Sequence, residues 1–102
     1  MEAPVTRNDE KSRYEIHVDG ELAGFAEFTV GEFTVGEGTV VFTHTETLEG
    51  FQGRGIGVEL AKGAIADAVE RGDTIVPACA FIRRYLERNE VPGAKVHLPG
   101  QP

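Results

Sequence analysis

Between Tyr14 and Val18 the apolar residues of this 102-residue chain recur at every second position, and β-branched and aromatic residues dominate the stretch Thr39 to Thr45. Beyond the turn Gln52-Gly53-Arg54-Gly55-Ile56-Gly57 apolar residues recur at every third or fourth position. A period of two lines one face of a strand, and a spacing of three and four lines one face of a helix. The chain must therefore lay down sheet before the turn and helix directly after it, which predicts an α+β fold.

Tyr14, Ile16 and Val18 alternate with Arg13, Glu15 and His17, and Asp19-Gly20 then supplies a two-residue hairpin turn. A second strand returns from Leu22 to Val30, where Gly24 marks a bulge or a close backbone approach. The β-branched and aromatic stretch Thr39 to Thr45 reads as a central strand, with Val40, Phe42 and His44 on one face and Val41, Thr43 and Thr45 on the other. Between these strands Phe28-Thr29-Val30-Gly31-Glu32 is repeated unchanged as Phe33-Thr34-Val35-Gly36-Glu37. Units this short cannot build a solenoid. The repeat is expected to lengthen a hairpin tip or edge, in preference to forming a substrate-facing flap.

After the turn, Ile56, Leu60, Ala61, Ala64, Ile65, Ala68 and Val69 define a helix that Arg71-Gly72 closes. The cation suits the negative end of the helix dipole, and glycine suits the left-handed residue that follows the last turn. A short strand, Thr74-Ile75-Val76, stops at Pro77, which has no donor for a ladder. Phe81 to Asn89 then reads as a second, amphipathic helix with Phe81, Ile82, Tyr85 and Leu86 inward. The expected order is β-β-β-α-β-α, a compact mixed and mostly antiparallel sheet with two main helices. Residues 1–12 are expected to form a flexible arm, 13–90 the domain, and 91–102 a loosely ordered tail.

With 40% hydrophobic and 26% charged residues the balance is that of a folded globular domain, with no room for a second. No apolar run approaches the roughly 20 residues needed to span a bilayer, and Met1-Glu2-Ala3-Pro4 lacks the layout of a signal peptide. A cytoplasmic protein without a membrane partner is expected. The net charge of −7 disfavours nucleic acid, whose phosphates need clustered cations, and favours cationic ligands. Cys79 has no second cysteine to pair with, and no Cys/His spacing resembles a metal site.

The chemistry-bearing signal is the turn itself. Three glycines at a strand-to-helix junction expose backbone N–H groups at the positive helix end, where a pyrophosphate can approach closely. Arg54 could add charge-assisted contacts. A nucleoside-triphosphate loop needs Lys and Ser or Thr after its last glycine, but Val58 and Glu59 follow here. A dinucleotide fingerprint read from Gly53 requires a third glycine where Val58 stands.

Gln52, Gly55 and Gly57 instead match the Gln/Arg-x-x-Gly-x-Gly/Ala turn of the GNAT superfamily. From about Tyr14 to Asn89 the chain resembles the minimal, single-domain branch of GNAT-like N-acetyltransferases. The resemblance includes Phe42-Thr43-His44-Thr45-Glu46, Val76-Pro77-Ala78-Cys79-Ala80-Phe81 and Tyr85-Leu86-Glu87-Arg88. It implies acetyl-coenzyme A as cosubstrate, with the sheet splaying after the His44 strand and the pantetheine arm in the gap. Cofactor contacts are implied at Thr47, Leu48, Gln52, Gly53, Arg54, Gly55, Ile56 and Gly57. The helices that full-length members carry between their first two strands are missing, which leaves the acceptor undefined.

Acetyl transfer needs a base for the amine proton and an acid for the leaving thiolate. By resemblance, Tyr85 stands where many members carry the tyrosine that protonates coenzyme A; by spacing alone it is equally a core-facing aromatic. Cys79, between a strand end and a helix start, is either an acetyl carrier or active-site thiol, or a small buried hydrophobe. His44 and Glu46 point the same way at the end of the strand that should face the cofactor. Each is either a proton acceptor or, respectively, a satisfied core histidine and a solvated strand-end residue. His17 and His97 join no constellation. The sequence thus points to a small N-acetyltransferase acting on an unidentified amine, for which a cation would suit the acidic surface. The alternative is a non-catalytic acetyl-coenzyme A or coenzyme A module acting through a partner protein. Monomer and homodimer both remain open.

Overall fold

The structure, a computed structural model, describes residues 4–34 and 37–98. One six-stranded sheet is built in chain order from β1 (Val5–Asn8), β2 (Arg13–Val18), β3 (Glu21–Thr34), β4 (Glu37–Thr47), β5 (Thr74–Pro77) and β6 (Lys95–Val96). The first four pair antiparallel; β5 joins β4, and β6 joins β5, in parallel. The two parallel joints require crossovers, supplied by α1 (Ile56–Arg71) and α2 (Ala80–Arg88). Helix α1 packs across β1 to β5 and touches α2, so both helices cover one face of the sheet.

Local chemistry explains the expected elements. Asp19 and Gly20 both take positive φ, 51° and 82°, as a tight β2–β3 hairpin demands. Gly72 ends α1 in the left-handed conformation, its N–H directed at the Ala68 and Val69 carbonyls. Tyr14, Ile16, Val18, Phe28, Val40 and Phe42 meet Ile56, Leu60, Ala64 and Ile65 of α1 and Ile82 of α2 in one core. The Phe28 to Glu37 repeat lies in a long β3–β4 hairpin paired from Gly24↔Thr47 to Thr34↔Glu37, at the opposite end of β4 from the glycine turn. Positions 35 and 36, within the repeat, lie outside the described residues.

Two short strands lie outside the expected order. In β1 Val5 is held against α1, where a Cβ placed on Gly63 would come 2.6 Å from Val5 Cβ; only glycine leaves that notch open. Arg7 ties the strand down further, donating to Asp9 at 2.7 Å and to the Tyr14 hydroxyl at 3.1 Å. The Tyr14 hydroxyl in turn donates to Asp67 on α1 at 2.6 Å, and Arg71 donates to the same carboxylate oxygen at 2.7 Å. At the other edge, β6 pairs with β5 and is prolonged by the His97 N–H donating to the Ile75 carbonyl at 2.9 Å.

The register of β3 on β4 corrects one expectation. Glu27 faces His44 but Phe28 faces Phe42, so Thr43 is an extra residue, a β-bulge. A bulge reverses the in–out phase beyond it. Phe42 is fully buried, whereas His44 does not share its face and stands exposed on the side away from the helices. A second shift between Ile16 and His17 sets Ala23 as the extra residue of β3 and brings Gly24 against β4. A Cβ on Gly24 would stand 2.8 Å from the Glu46 carbonyl oxygen, the close approach that this glycine signals.

Candidate functional site

Strand β5 ends at Pro77 opposite Phe42, while β4 runs on to Thr47. Proline cannot donate to a ladder, so the last link between the two is the Cys79 N–H donating to the Phe42 carbonyl at 2.8 Å. Beyond it, β4 from Thr43 to Thr47 has no strand on its β5 side. The sheet opens here, at the place expected from the resemblance.

The chain leaves β4 through a tight connection. Leu48 donates its N–H to Ala23 O at 2.8 Å, which anchors it, and Phe51 donates to Leu48 O at 3.1 Å. Gly53 and Gly55 then take φ of 81° and 73°, a left-handed backbone that other residues adopt only under strain. Gly55 is the N-cap of α1 and no side chain caps this helix. The first turn of a helix has no internal partners for its amides, so Ile56, Gly57 and Val58 present N–H groups at the positive end of α1. A Cβ on Gly53 or Gly55 would meet nothing within 4 Å. The space over the turn is therefore open to a group that approaches the backbone.

That space is a cavity of ≈ 220 Å³. Thr47, Gln52, Gly53, Gly55, Ile56 and Gly57 line it, together with Phe51, Val58 and Phe81. Ile56 is buried, so it can offer the cavity its backbone and little side chain. Leu48 and Arg54 are placed elsewhere. Leu48 serves as the anchor, and Arg54 lies over the Phe51 ring at 5.7 Å and lines a neighbouring cavity with Asp19, Glu21 and Glu49.

The four proton-transfer candidates do not converge on one point. The Cys79 thiol, half-buried at the N-cap of α2, makes no capping bond and donates to the Thr45 hydroxyl at 3.4 Å, across the opened end of the sheet. His44 Nε2 lies 3.3 Å from Glu46 Oε1, so their side chains do point the same way, but on the outer face. Tyr85 is half-buried and lines a second cavity of ≈ 240 Å³ with Val58, Phe81, Arg84, Arg88 and Asn89. This cavity adjoins the first through Val58 and Phe81. Thr45, Val58 and Phe81 escaped sequence reasoning. Only the placing of Phe81 at the start of the second helix hinted that it could reach the turn.

Among the described residues no group of three or more His, Cys, Asp or Glu side chains is placed to hold a metal ion. None of the described helices is long and apolar enough to cross a membrane.

A family model described as GCN5-related N-acetyl-transferase matches residues 13–94. Protein NATD1 of Xenopus tropicalis is 40% identical over 54 residues, which is 53% of this chain and 50% of that protein. Protein NATD1 of Gallus gallus is 36% identical over 55 residues, 54% of this chain and 50% of that protein. The chain spans about half the length of the curated relatives it matches. The matched segment runs from the start of β2 through α2, and so takes in the turn, the opened sheet and both helices. The chain belongs to the GCN5-related N-acetyl-transferase family.

Proposed function

We propose that the chain binds acetyl-coenzyme A across the opened end of β4 and the glycine turn, and transfers the acetyl group to an amine. The observation that carries this reading is the uncapped start of α1 beneath an open cavity, directly beside β4 where it loses its β5 partner. Backbone amides of Ile56, Gly57 and Val58 would hold the pyrophosphate, since a helix N-terminus favours anions. The unpaired β4 edge would take the pantetheine amides as a short added strand, delivering the thioester towards Thr45 and Cys79.

In the transfer, the lone pair of a neutral amine attacks the acetyl carbonyl carbon. The carbon–sulfur bond breaks, the nitrogen loses a proton and the departing thiolate gains one. His44 with Glu46 would accept the amine proton from the open face of the sheet, and Tyr85 or the Cys79 thiol would supply the proton to sulfur. The exposed carboxylates of Glu27 and Glu46 favour a cationic amine. Release of free coenzyme A thiol from acetyl-coenzyme A, measured with a panel of polyamines and lysine peptides, tests the reaction. Tyr85→Phe and Cys79→Ala then separate the two proton donors.

A binding module without turnover is the second reading. It is favoured by the exposure of His44 and Glu46, and by the Asp19-Gly20 turn that joins β2 directly to β3 without the acceptor-side helices. Coenzyme A binding without thiol release for any amine would select it.

A further inference from the structure

The sheet protects its edges unequally. Pro4, which has no donor, stands directly before β1, and Arg7 puts a charge on that strand. At the far edge β6 is only two residues long. Proline, charge and shortness are the means by which a sheet edge escapes pairing with another chain. The long β3–β4 hairpin has a third edge. Strand β2 begins only at Arg13, opposite Glu27, and just before it the Ser12 carbonyl accepts the Phe28 N–H at 3.0 Å. From Thr29 onward no described strand lies on that side of β3, although β4 continues on the other side as far as Thr34↔Glu37. This edge runs Thr29-Val30-Gly31-Glu32 without proline, and Val30 is 62% exposed. The neighbouring end of β4 is covered instead, since a Cβ on Gly38 would stand 2.8 Å from Asp73 Oδ1.

We infer that two copies of this chain pair antiparallel through the free edge of β3, with Val30 of each directly opposite Glu32 of the other. The direction of the backbone groups fixes this register. Phe28 turns its N–H towards the β2 side, so by the period of two Val30 and Glu32 turn theirs to the same side, and Thr29 and Gly31 turn theirs to β4. In the pair, each Val30 N–H donates to the Glu32 carbonyl of the second copy, and each Glu32 N–H donates to the Val30 carbonyl. A two-fold axis beside Gly31 satisfies all of these groups at once, as a self-complementary interface requires. Gly31 then faces Gly31 in a non-hydrogen-bonded pair, where the Cα atoms come within about 4.5 Å and side chains crowd most. A register centred on Val30 sets Phe28 opposite Glu32, but the Phe28 N–H is already taken by Ser12. One centred on Glu32 sets Val30 opposite Thr34, beyond the register shift between Glu32 and Thr34. The pairing lies at the opposite end of β4 from the glycine turn, so it leaves that turn open in both copies and is independent of what the turn binds.

Sedimentation equilibrium of the full chain tests this. The interface is small, so the mean mass should climb from 11.0 kDa towards twice that value as the concentration is raised. The climb should be complete by about 1 mM. Val30→Pro removes a donor that β4 does not use and should leave a folded monomer, with circular dichroism reporting the fold. Val30→Glu keeps every backbone donor but places like charges opposite each other at Glu32, and should weaken the dimer about fivefold or more. Val30→Lys, opposite the same glutamate, should tighten it about fivefold. A wild-type chain that stays monomeric throughout overturns the inference, and so does a dimer that survives in folded Val30→Pro. If Val30→Pro does not fold, the charge pair decides: equal effects of Glu and Lys on the dimer overturn the register and the proposal with it.

Discussion

Phe81, at the start of α2, lies against Gly57, at the start of α1, so closely that a Cβ on Gly57 would stand 2.8 Å from its Cζ. This contact joins the two helices at the point where the turn cavity meets the Arg84 cavity. Gly57→Ala should consequently separate stability from binding. Alanine gains up to about 1 kcal/mol of helix propensity, and the half-exposed Phe81 ring can swing outward to relieve the clash. Unfolding free energy in urea should change by less than about 1 kcal/mol, while coenzyme A affinity falls because the shared wall has moved.

Gly24→Ala should behave in the opposite way. Its new methyl would meet the Glu46 carbonyl oxygen at 2.8 Å, and that atom belongs to the β4 backbone and cannot swing aside. Overpacking of this kind costs about 1–3 kcal/mol. The urea midpoint should fall accordingly, without a change in slope.

The Tyr14–Asp67 bond gives a pH signature. Burial first, and then the carboxylate that accepts its proton, raise the Tyr14 hydroxyl above the usual phenol range. Burial also pushes Asp67 up, but the bonds from Tyr14 and Arg71 outweigh it and hold the carboxyl below its usual range. The raised Tyr14 contributes stability that is whole below about pH 10 and is lost as pH rises through its folded value. The depressed Asp67 contributes stability that is whole above about pH 4 and is lost as pH falls further. Tyr14→Phe should cost about 1–2 kcal/mol at neutral pH, flatten the alkaline limb of the stability profile and weaken the acid one.

Cys79→Ala should leave the fold nearly intact, since the thiol is half-buried and makes a single weak bond to Thr45. If acetyl passes through a covalent thioester on Cys79, mass spectrometry after mixing with acetyl-coenzyme A will show an acetylated chain that the variant does not form. Thiol release undiminished in the variant establishes direct attack instead.

Much of this architecture was legible because it is periodic. The alternation of Tyr14, Ile16 and Val18, the Asp19-Gly20 turn and the spacing from Ile56 to Val69 each fix a local element without help from elsewhere. The junction that places Gly53 and Gly55 before α1 was legible for the same reason. What escaped was set by register or by tertiary contact. The bulge at Thr43 sends His44 to the outer face, and nothing in the alternation of Val40, Phe42 and His44 reveals it. Strand β1 depends on a notch at Gly63, far along the chain, that accepts Val5. Arg54 lines a cavity with Asp19, Glu21 and Glu49, residues that only the fold brings to one place.

Calorimetric titration of acetyl-coenzyme A into the wild-type protein and into Gly55→Glu tests the proposed site most directly. Gly55 has φ of 73°, and a glutamate there adds backbone strain of about 1–2 kcal/mol and a carboxylate at the pyrophosphate position. Circular dichroism of the variant would verify that it still folds. Saturable binding by the wild-type protein, abolished in the folded variant, is the predicted result. No wild-type binding, or binding that the glutamate leaves untouched, would contradict it.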